Sequence, residues 1–348
     1  MGLPRVQGVG IAVPPYAMRQ CEIKEFVAGF FSSHIDQLER LLPIFESSSI
    51  QVRHLSQPLD WYRTNHSFAE ANKIFEQVAL VLSEKAALEA MDKAKVKPLD
   101  IGMVIFVSST GIATPTLDGK LIERLGMSPH TKRLPIWGLG CGGGVAGVAR
   151  AAEMAHTLPE KSVLLVTVEL CSLTFQCNDY SKANLVGASI FADGAAAAVI
   201  TLDGKGPAIL GSNSTLLPDS ADIMGWDLVD SGLKVRFSRD IPSIVRRYLP
   251  ELLNKACIKW GLDDKQLSHY VVHPGGAKVL SAYSESLGLA KEKLVYAYEI
   301  LSHYGNMSSA SVLFVLEQFI KATAATDDYG AMLAMGPGFS VEQVLFQW

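Results

Sequence analysis

Charge is sparse in this chain. Asp, Glu, Lys and Arg make up 19% of its 348 residues and leave a net charge of −4. No segment is dense in lysine or arginine, so the electrostatic footprint of a nucleic-acid-binding protein is missing. An anionic ligand would have to be met by a few local cations. Apolar runs of transmembrane length are missing too, as are the basic start and continuous apolar stretch of a signal peptide. The eight histidines include no HExxH or comparable ligand spacing, which predicts no metal site. The five cysteines, Cys21, Cys141, Cys171, Cys177 and Cys257, are an odd number without framework spacing. A reduced, cytoplasmic protein fits that pattern. Hydrophobic residues, in contrast, reach 49%. That is enough for a large core, and the length allows one large domain or two of medium size.

The stretch Ile136 to Arg150, IWGLGCGGGVAGVAR, organises the rest. A short apolar run ends in Gly138-Leu139-Gly140, then Cys141, three glycines and a helix of small residues follow. The glycines permit a sharp turn and the close approach of another backbone or a ligand. A helix N-terminus favours thiolate over thiol, so Cys141 is a candidate nucleophile. The plainer reading is a small buried residue in a crowded helix crossing.

Along the chain, strands are predicted at Arg5 to Val13, Ile101 to Val107, Ser162 to Glu169 and within Gly187 to Leu202, which opens with a turn around Asp193-Gly194. Gly8-x-Gly10 lacks the third glycine and the helix of a dinucleotide fingerprint. Helical patterns cover Glu22 to Phe45, Phe68 to Lys93 and about Thr116 to Leu125. From about Lys205 the order recurs. A strand Ala208 to Leu217 ends at a proline, a helical stretch runs from Ile241 to Trp260, and Tyr270-Val271-Val272 leads into His273-Pro274-Gly275-Gly276. Helices from Ala277 and over Met307 to Lys321, then strands Ala331 to Met335 and Val341 to Phe346, close the chain. Overlaying the halves, 1–204 and 205–348, matches strand–SSTG to strand–HPGG, and Gly140-Cys141-Gly142 to Gly305-Asn306-Met307. Alternating strands and helices argue for α/β layers. A duplication of this kind brings Cys141, His273 and Asn306 together across a pseudo-twofold.

Cysteine, histidine and asparagine distant in sequence are an arrangement for covalent catalysis. The histidine can hold the thiol as thiolate, and an asparagine amide with an imidazole N–H can bind a developing oxyanion or enolate. Alone, His273 reads more readily as a strand-end histidine bonded to backbone than as a catalytic group, and the plainer reading of Asn306 is a helix cap. Asp193 and Asp240, each beside a turn, read as structural.

Several motifs occur in one order: L-T-F (173–175), F-A-D-G-A-A-A (191–197), L-P-D-S (217–220), H-P-G-G (273–276), H-Y-G-N-M-S-S-A-S-V-L-F-V-L (303–316) and G-P-G-F-S (336–340). In these the chain resembles, over nearly its whole length, the type III polyketide synthases, the chalcone synthase superfamily of the thiolase fold. The resemblance implies a duplicated thiolase-like α/β fold, layered α-β-α-β-α, with two pseudo-equivalent halves and a homodimeric assembly. It makes Cys141 the acyl-bearing nucleophile, and His273 and Asn306 the residues that promote malonyl decarboxylation and stabilise the enolate. Phe191 matches a gatekeeper between the CoA tunnel and the cavity, Thr174 and Ser308 match cavity positions, and Gly338 lies in the last substrate-facing loop. No cofactor is implied beyond the CoA thioesters that serve as substrates, acyl-CoA and malonyl-CoA.

The departures are specific. The second gatekeeper phenylalanine aligns with Val235, with Phe237 close by, and Trp226 stands where plant enzymes carry a small cavity residue. Thr114 replaces the methionine that reaches into the partner's cavity. Of the basic residues that hold CoA phosphates in plant enzymes, Arg40 matches one, Pro43 and Ser47 occupy the others, and Arg53 is the second candidate. CoA must then be held differently, or an acyl carrier protein serves as donor. With P-I-W-G-L-G-C (135–141), E-L-C-S-L-T-F-Q (169–176) and M-G-W-D (224–227), the chain most resembles bacterial alkylpyrone synthases of the Bacillus type. That implies a fatty acyl-CoA starter, two or three malonyl extensions and closure to a pyrone or a resorcinol-type ring. A 3-ketoacyl carrier-protein synthase III would carry H-Q-A-N where this chain has H-P-G-G. A thiolase would need a second cysteine at 336–338, and a hydroxymethylglutaryl-CoA synthase a glutamate with no evident counterpart here. An inactive binding protein on the same fold is the remaining alternative.

Overall fold

The computed structural model describes residues 2–322 and 327–348. The first half runs β1 (Pro4–Ala12), β2 (Tyr16–Arg19), α1 (Gln20–Phe31), α2 (Pro43–Ser47), β3 (Val52–Leu55), α3 (Phe68–Ala94), β4 (Ile101–Val107), α4 (Leu117–Arg124), β5 (Lys132–Ile136), α5 (Gly143–Ala155), β6 (Ser162–Leu170), α6 (Lys182–Ile190) and β7 (Asp193–Leu202). The second runs β8 (Ala208–Leu216), β9 (Met224–Val229), β10 (Gly232–Phe237), α7 (Ile241–Lys259), β11 (Leu267–Val272), α8 (Ala277–Leu287), α9 (Val295–Tyr304), α10 (Ser311–Ala322), β12 (Tyr329–Gly336) and β13 (Ser340–Gln347).

The strands follow one order, β5-β4-β6-β7-β1 and then β8-β13-β12-β11. The two runs meet through a single residue pair, Arg5 and Ala208. Around β6 the neighbours are β4, parallel, and β7, antiparallel, with β1 antiparallel beyond. Around β12 they are β11, parallel, and β13, antiparallel, with β8 antiparallel beyond. The second run thus repeats the first, and β5 is its extra edge strand. Helices α5 and α10 pack against each other and against strands of both runs. Helix α3 covers β1, β7 and β6 with α4 beside it, while α7 covers β8 and β13 and carries α8. This is the duplicated, five-layered α/β arrangement expected from the sequence.

The layers follow from composition. All nine residues of β6, SVLLVTVEL, are buried, as a strand covered on both faces requires. In α5 the small residues let the central helices touch. A Cβ on Gly144 would lie 2.3 Å from the Ser309 carbonyl oxygen, a backbone atom that cannot swing aside. Gly144→Ala is therefore expected to lower stability by about 1–3 kcal/mol, read from the urea midpoint. Helix α3 starts at Ser67, whose hydroxyl accepts from Glu70 N while the Glu70 carboxylate accepts from Ser67 N, a reciprocal cap.

Several stretches differ from expectation, among them the following. The helical pattern over Glu22 to Phe45 is not one helix. After α1 the chain turns, Gln37 takes φ +56°, Leu38–Arg40 forms a single tight turn, and α2 opens at Pro43. Phe26, Leu38 and Phe45 still share one buried cluster with Tyr62 and Leu185, so the periodicity reported a common buried face. The stretch before Asp193 is helix α6 rather than turn. The antiparallel ribbon β9–β10 was not anticipated, and it carries Trp226, Val235 and Phe237.

Candidate active site

Three turns build the site. In the first, Gly138 and Gly140 take φ +89° and +47°, and the turn Gly140–Gly142 delivers Cys141, buried, at the start of α5. A Cβ on Gly140 would lie 2.7 Å from the Pro337 ring, so the β12–β13 turn closes directly over it. Gly140 N donates to Ser109 Oγ at 3.0 Å, tying the cysteine to the turn after β4. The second turn ends β11. His273 is buried, its backbone N–H donates to Leu333 O at 2.9 Å, and neither ring nitrogen has a hydrogen-bond partner. The third turn follows α9. Asn306 forms an isolated bridge with Phe191: its N–H donates to Ile190 O at 2.8 Å and its carbonyl accepts from Ala192 N at 2.9 Å. Its side-chain oxygen accepts from Ser308 N at 2.8 Å, and its amide donates to Gly275 O at 3.1 Å. Asn306 is therefore more than a cap, because its amide spans to the His273-Pro274-Gly275-Gly276 loop.

Burial dominates the electrostatics. It pushes the Cys141 thiol up to about 12, with a further push from Glu169, while hydrogen bonds from Ser308 and Asn306 pull it back. Burial alone pulls His273 down to about 3. Taken singly, each group holds its neutral form. A thiolate–imidazolium pair in the same interior is offset by its own attraction only if the two charges form together. Unpartnered buried ring nitrogens are rare in folded proteins and call for a functional explanation.

Behind the cysteine lies Glu169, a carboxyl the sequence reading did not single out. It is fully buried and accepts from Ser109 N at 2.9 Å, Thr110 Oγ1 at 2.9 Å and Ser309 Oγ at 2.7 Å. It thereby joins the turn behind Cys141 to the turn that carries Asn306. The available signal was a single charge at the end of an otherwise apolar strand. Burial raises its pKa to about 7 against these hydrogen bonds. A folded-state pKa above the unfolded value stabilises fully below pH 4.5, and that contribution is lost as pH rises through 7. Removing the charge in Glu169→Gln should cancel a decline on the order of 3 kcal/mol over that window. Urea midpoints of both proteins at pH 5 and pH 8 read the difference.

The anticipated pocket residues divide. Phe191 meets Trp226 with ring centroids 6.2 Å apart and Phe237 edge-on at 6.4 Å. Val235 pairs directly with Trp226 across the β9–β10 ribbon; the rings facing Phe191 belong to Trp226 and Phe237. A pocket of about 260 Å³ lies beside this group, with Ile190, Phe237, Gly275 and Gly276 in its wall. Thr174 is buried, and its hydroxyl donates to Cys171 O at 2.8 Å. Ser308, which pulls the thiol's pKa down, takes φ +47°. Gly338 has φ +131°, and a Cβ there would lie 2.7 Å from Leu216. Thr114 is exposed in the loop before α4.

The two CoA candidates do not converge. Arg40 is exposed and lines no part of the pocket. Arg53 is 2% exposed, donates from Nε to Gln20 Oε1 at 3.0 Å and from Nη1 to Phe191 O at 2.7 Å, and burial lowers its pKa to about 9. It is a structural cation behind Phe191 and cannot reach a phosphate in solvent. Asp193 is structural as anticipated, accepting from Ser56 N and Ser172 N, each at 2.7 Å. Among the described residues, no group of three or more His, Cys, Asp or Glu is placed to hold a metal ion, and no helix is long and apolar enough to cross a membrane.

Known proteins share this architecture. Residues 2–204 match the family model for the N-terminal domain of chalcone and stilbene synthases, and residues 208–348 match that for the C-terminal domain. A Bacillus subtilis (strain 168) protein named for chalcone synthase is 40% identical, over 99% of this chain and 98% of its own. The 1,3,6,8-tetrahydroxynaphthalene synthase of Streptomyces peucetius subsp. caesius is 37% identical, over 99% and 93%. The crystal structure of the enzyme of that name from Streptomyces coelicolor A3(2) superposes with a TM-score of 0.95 at 29% identity, covering 99% of each chain. The chain belongs to the chalcone and stilbene synthase family, the type III polyketide synthases, decarboxylating condensing acyltransferases that act on CoA thioesters without a further cofactor.

Proposed function

We propose that the protein is an alkylpyrone synthase that starts from a fatty acyl-CoA. Cys141 sulfur attacks the acyl carbonyl, the bond to the CoA sulfur breaks, and His273 passes the thiol proton to the departing CoA. Malonyl-CoA then loses its carboxylate as CO₂. The electron pair of the broken C–C bond becomes an enolate whose oxygen is held by the His273 N–H and the Asn306 amide. The enolate carbon attacks the Cys141 thioester and the cysteine leaves as thiolate, so the lengthened chain sits on CoA and can reload. After two or three rounds an enol oxygen of the chain attacks its own thioester carbonyl and expels the thiol. That step needs no further residue, because the reacting groups are already on one chain.

The observation that carries this reading is the buried Cys141 thiol, whose raised pKa Ser308 and Asn306 pull back, with two unpartnered imidazole nitrogens and one amide from the facing loops. We read the working form as a homodimer in the cytoplasm. Trp137, 55% exposed, and Ile112, 43% exposed, leave an apolar patch next to Thr114 that a second copy would cover.

A second reading, favoured by the 37% identical Streptomyces relative, is a synthase whose aromatic product carries no alkyl chain. Product masses from purified protein given malonyl-CoA and a series of acyl-CoAs separate the two. Pyrones that lengthen with the starter support the proposal. A product independent of the starter supports the second reading, and a single condensation to a 3-ketoacyl product overturns both.

A further inference from the structure

The pocket beside Phe237 has an electrostatic rim that the family's usual CoA positions do not account for. Arg40 is not among the residues lining it, Arg53 is buried, and Ser47 lies in the wall without charge. Three cations line the pocket instead: Lys182, the first residue of α6, Arg239, between β10 and α7, and Lys278, in the first turn of α8. All three are exposed, and none has an ion-pair or hydrogen-bond partner among the described residues. Neighbouring cations behave otherwise. Arg236 pairs with Asp222 and Asp227, and Lys234 with Asp179. No aspartate or glutamate is among the described residues that line the pocket.

Three unneutralised cations from three separate elements therefore face one cavity, in a chain whose net charge is −4. Such a field attracts a multiply charged anion and focuses it on the pocket. The N-terminus of α8, with Gly276 at its cap and no side chain capping it, adds unpaired N–H groups on the same side. Below the rim the pocket wall is Gly275-Gly276, and Gly275 O accepts the Asn306 amide. An anion at the rim would thus lie beside the loop whose Gly275 carbonyl holds the Asn306 amide.

We propose that Lys182, Arg239 and Lys278 bind the phosphates of the CoA nucleotide and replace the basic residues missing around Pro43 and Ser47. The inference rests on CoA thioesters being the substrates. CoA suits the rim because it carries a 3′-phosphate and a diphosphate, groups that cations on separate elements can meet one by one. A pantetheine arm on a carrier protein presents a single phosphodiester there.

The test compares malonyl-CoA with malonyl-pantetheine, which lacks every phosphate, in the wild type, Lys182→Ala, Arg239→Ala, Lys278→Ala and the triple variant. Each single change is expected to lower the kcat/KM ratio of malonyl-CoA to malonyl-pantetheine by about 3–10-fold, and the triple by about 100-fold, through KM. Equilibrium binding of adenosine 3′,5′-bisphosphate should weaken in step, and in the wild type it should weaken with salt. An unchanged ratio with unchanged bisphosphate binding overturns the proposal. So does saturation by a malonyl carrier protein that adenosine 3′,5′-bisphosphate cannot compete. If the wild type turns over neither thioester, the functional reading fails, and bisphosphate binding still decides the site.

Discussion

Replacing Cys141 with alanine is expected to remove product formation by a factor of roughly 10³ or more while leaving the fold in place. The side chain is buried at the start of α5, where Ser308 and Asn306 favour its thiolate against burial. Losing one sulfur from that position costs about 1 kcal/mol of packing, within what a domain of this size tolerates. The chemistry has no substitute. Cys171, also buried, lies in the turn beyond β6, and burial raises its thiol well above the usual range. Cys21 is exposed on α1, in the outer part of the first half. The measurement is pyrone yield by mass spectrometry beside the urea midpoint. An inactive, stably folded variant is the expected outcome, and retained pyrone synthesis would remove Cys141 from the mechanism.

The second large effect concerns His273. Burial pushes the Cys141 thiol up to about 12 and His273 down to about 3 when each is charged alone. Reactivity near neutral pH then requires that the proton move from sulfur to imidazole, so that the two charges form as a pair. In His273→Ala the thiol keeps only burial and its two hydrogen bonds. Alkylation of Cys141 by iodoacetamide should fall about a hundredfold or more at pH 7 and recover only under alkaline conditions. Peptide mapping separates Cys141 from exposed Cys21. Superimposable pH profiles for variant and wild type would show that His273 does not hold the thiolate.

Much of this was legible in the sequence, for a physical reason. Ile101 to Val107 and Ser162 to Glu169 read as strands because a strand covered on both faces is a short apolar run. Both form as expected, the second extended to Leu170. The duplication was readable because the strand–SSTG and strand–HPGG turns, like the Cys141 and Asn306 turns, recur in the same order in each half. The ribbon β9–β10 was not readable. It is half-exposed and mixes Met, Trp, Asp, Lys and Arg, so no period-2 pattern stands out, although it presents Phe237 to Phe191. Arg53 shows a different limit. A cation between polar and aromatic residues reads as a solvent-facing ligand group, whereas Gln20 Oε1 and the Phe191 carbonyl hold it in the interior. Only the tertiary fold brings those acceptors to it, from 33 and 138 residues away.

The central claim is that Cys141 carries the growing chain. The most direct measurement is the intact mass of the purified protein after a fatty acyl-CoA is added without malonyl-CoA, followed by peptide mapping. One acyl group on the Cys141 peptide, discharged when malonyl-CoA is added and released as a pyrone that retains the starter's alkyl chain, is the result expected here. An unmodified Cys141, or an acyl group that malonyl-CoA does not discharge, would contradict it.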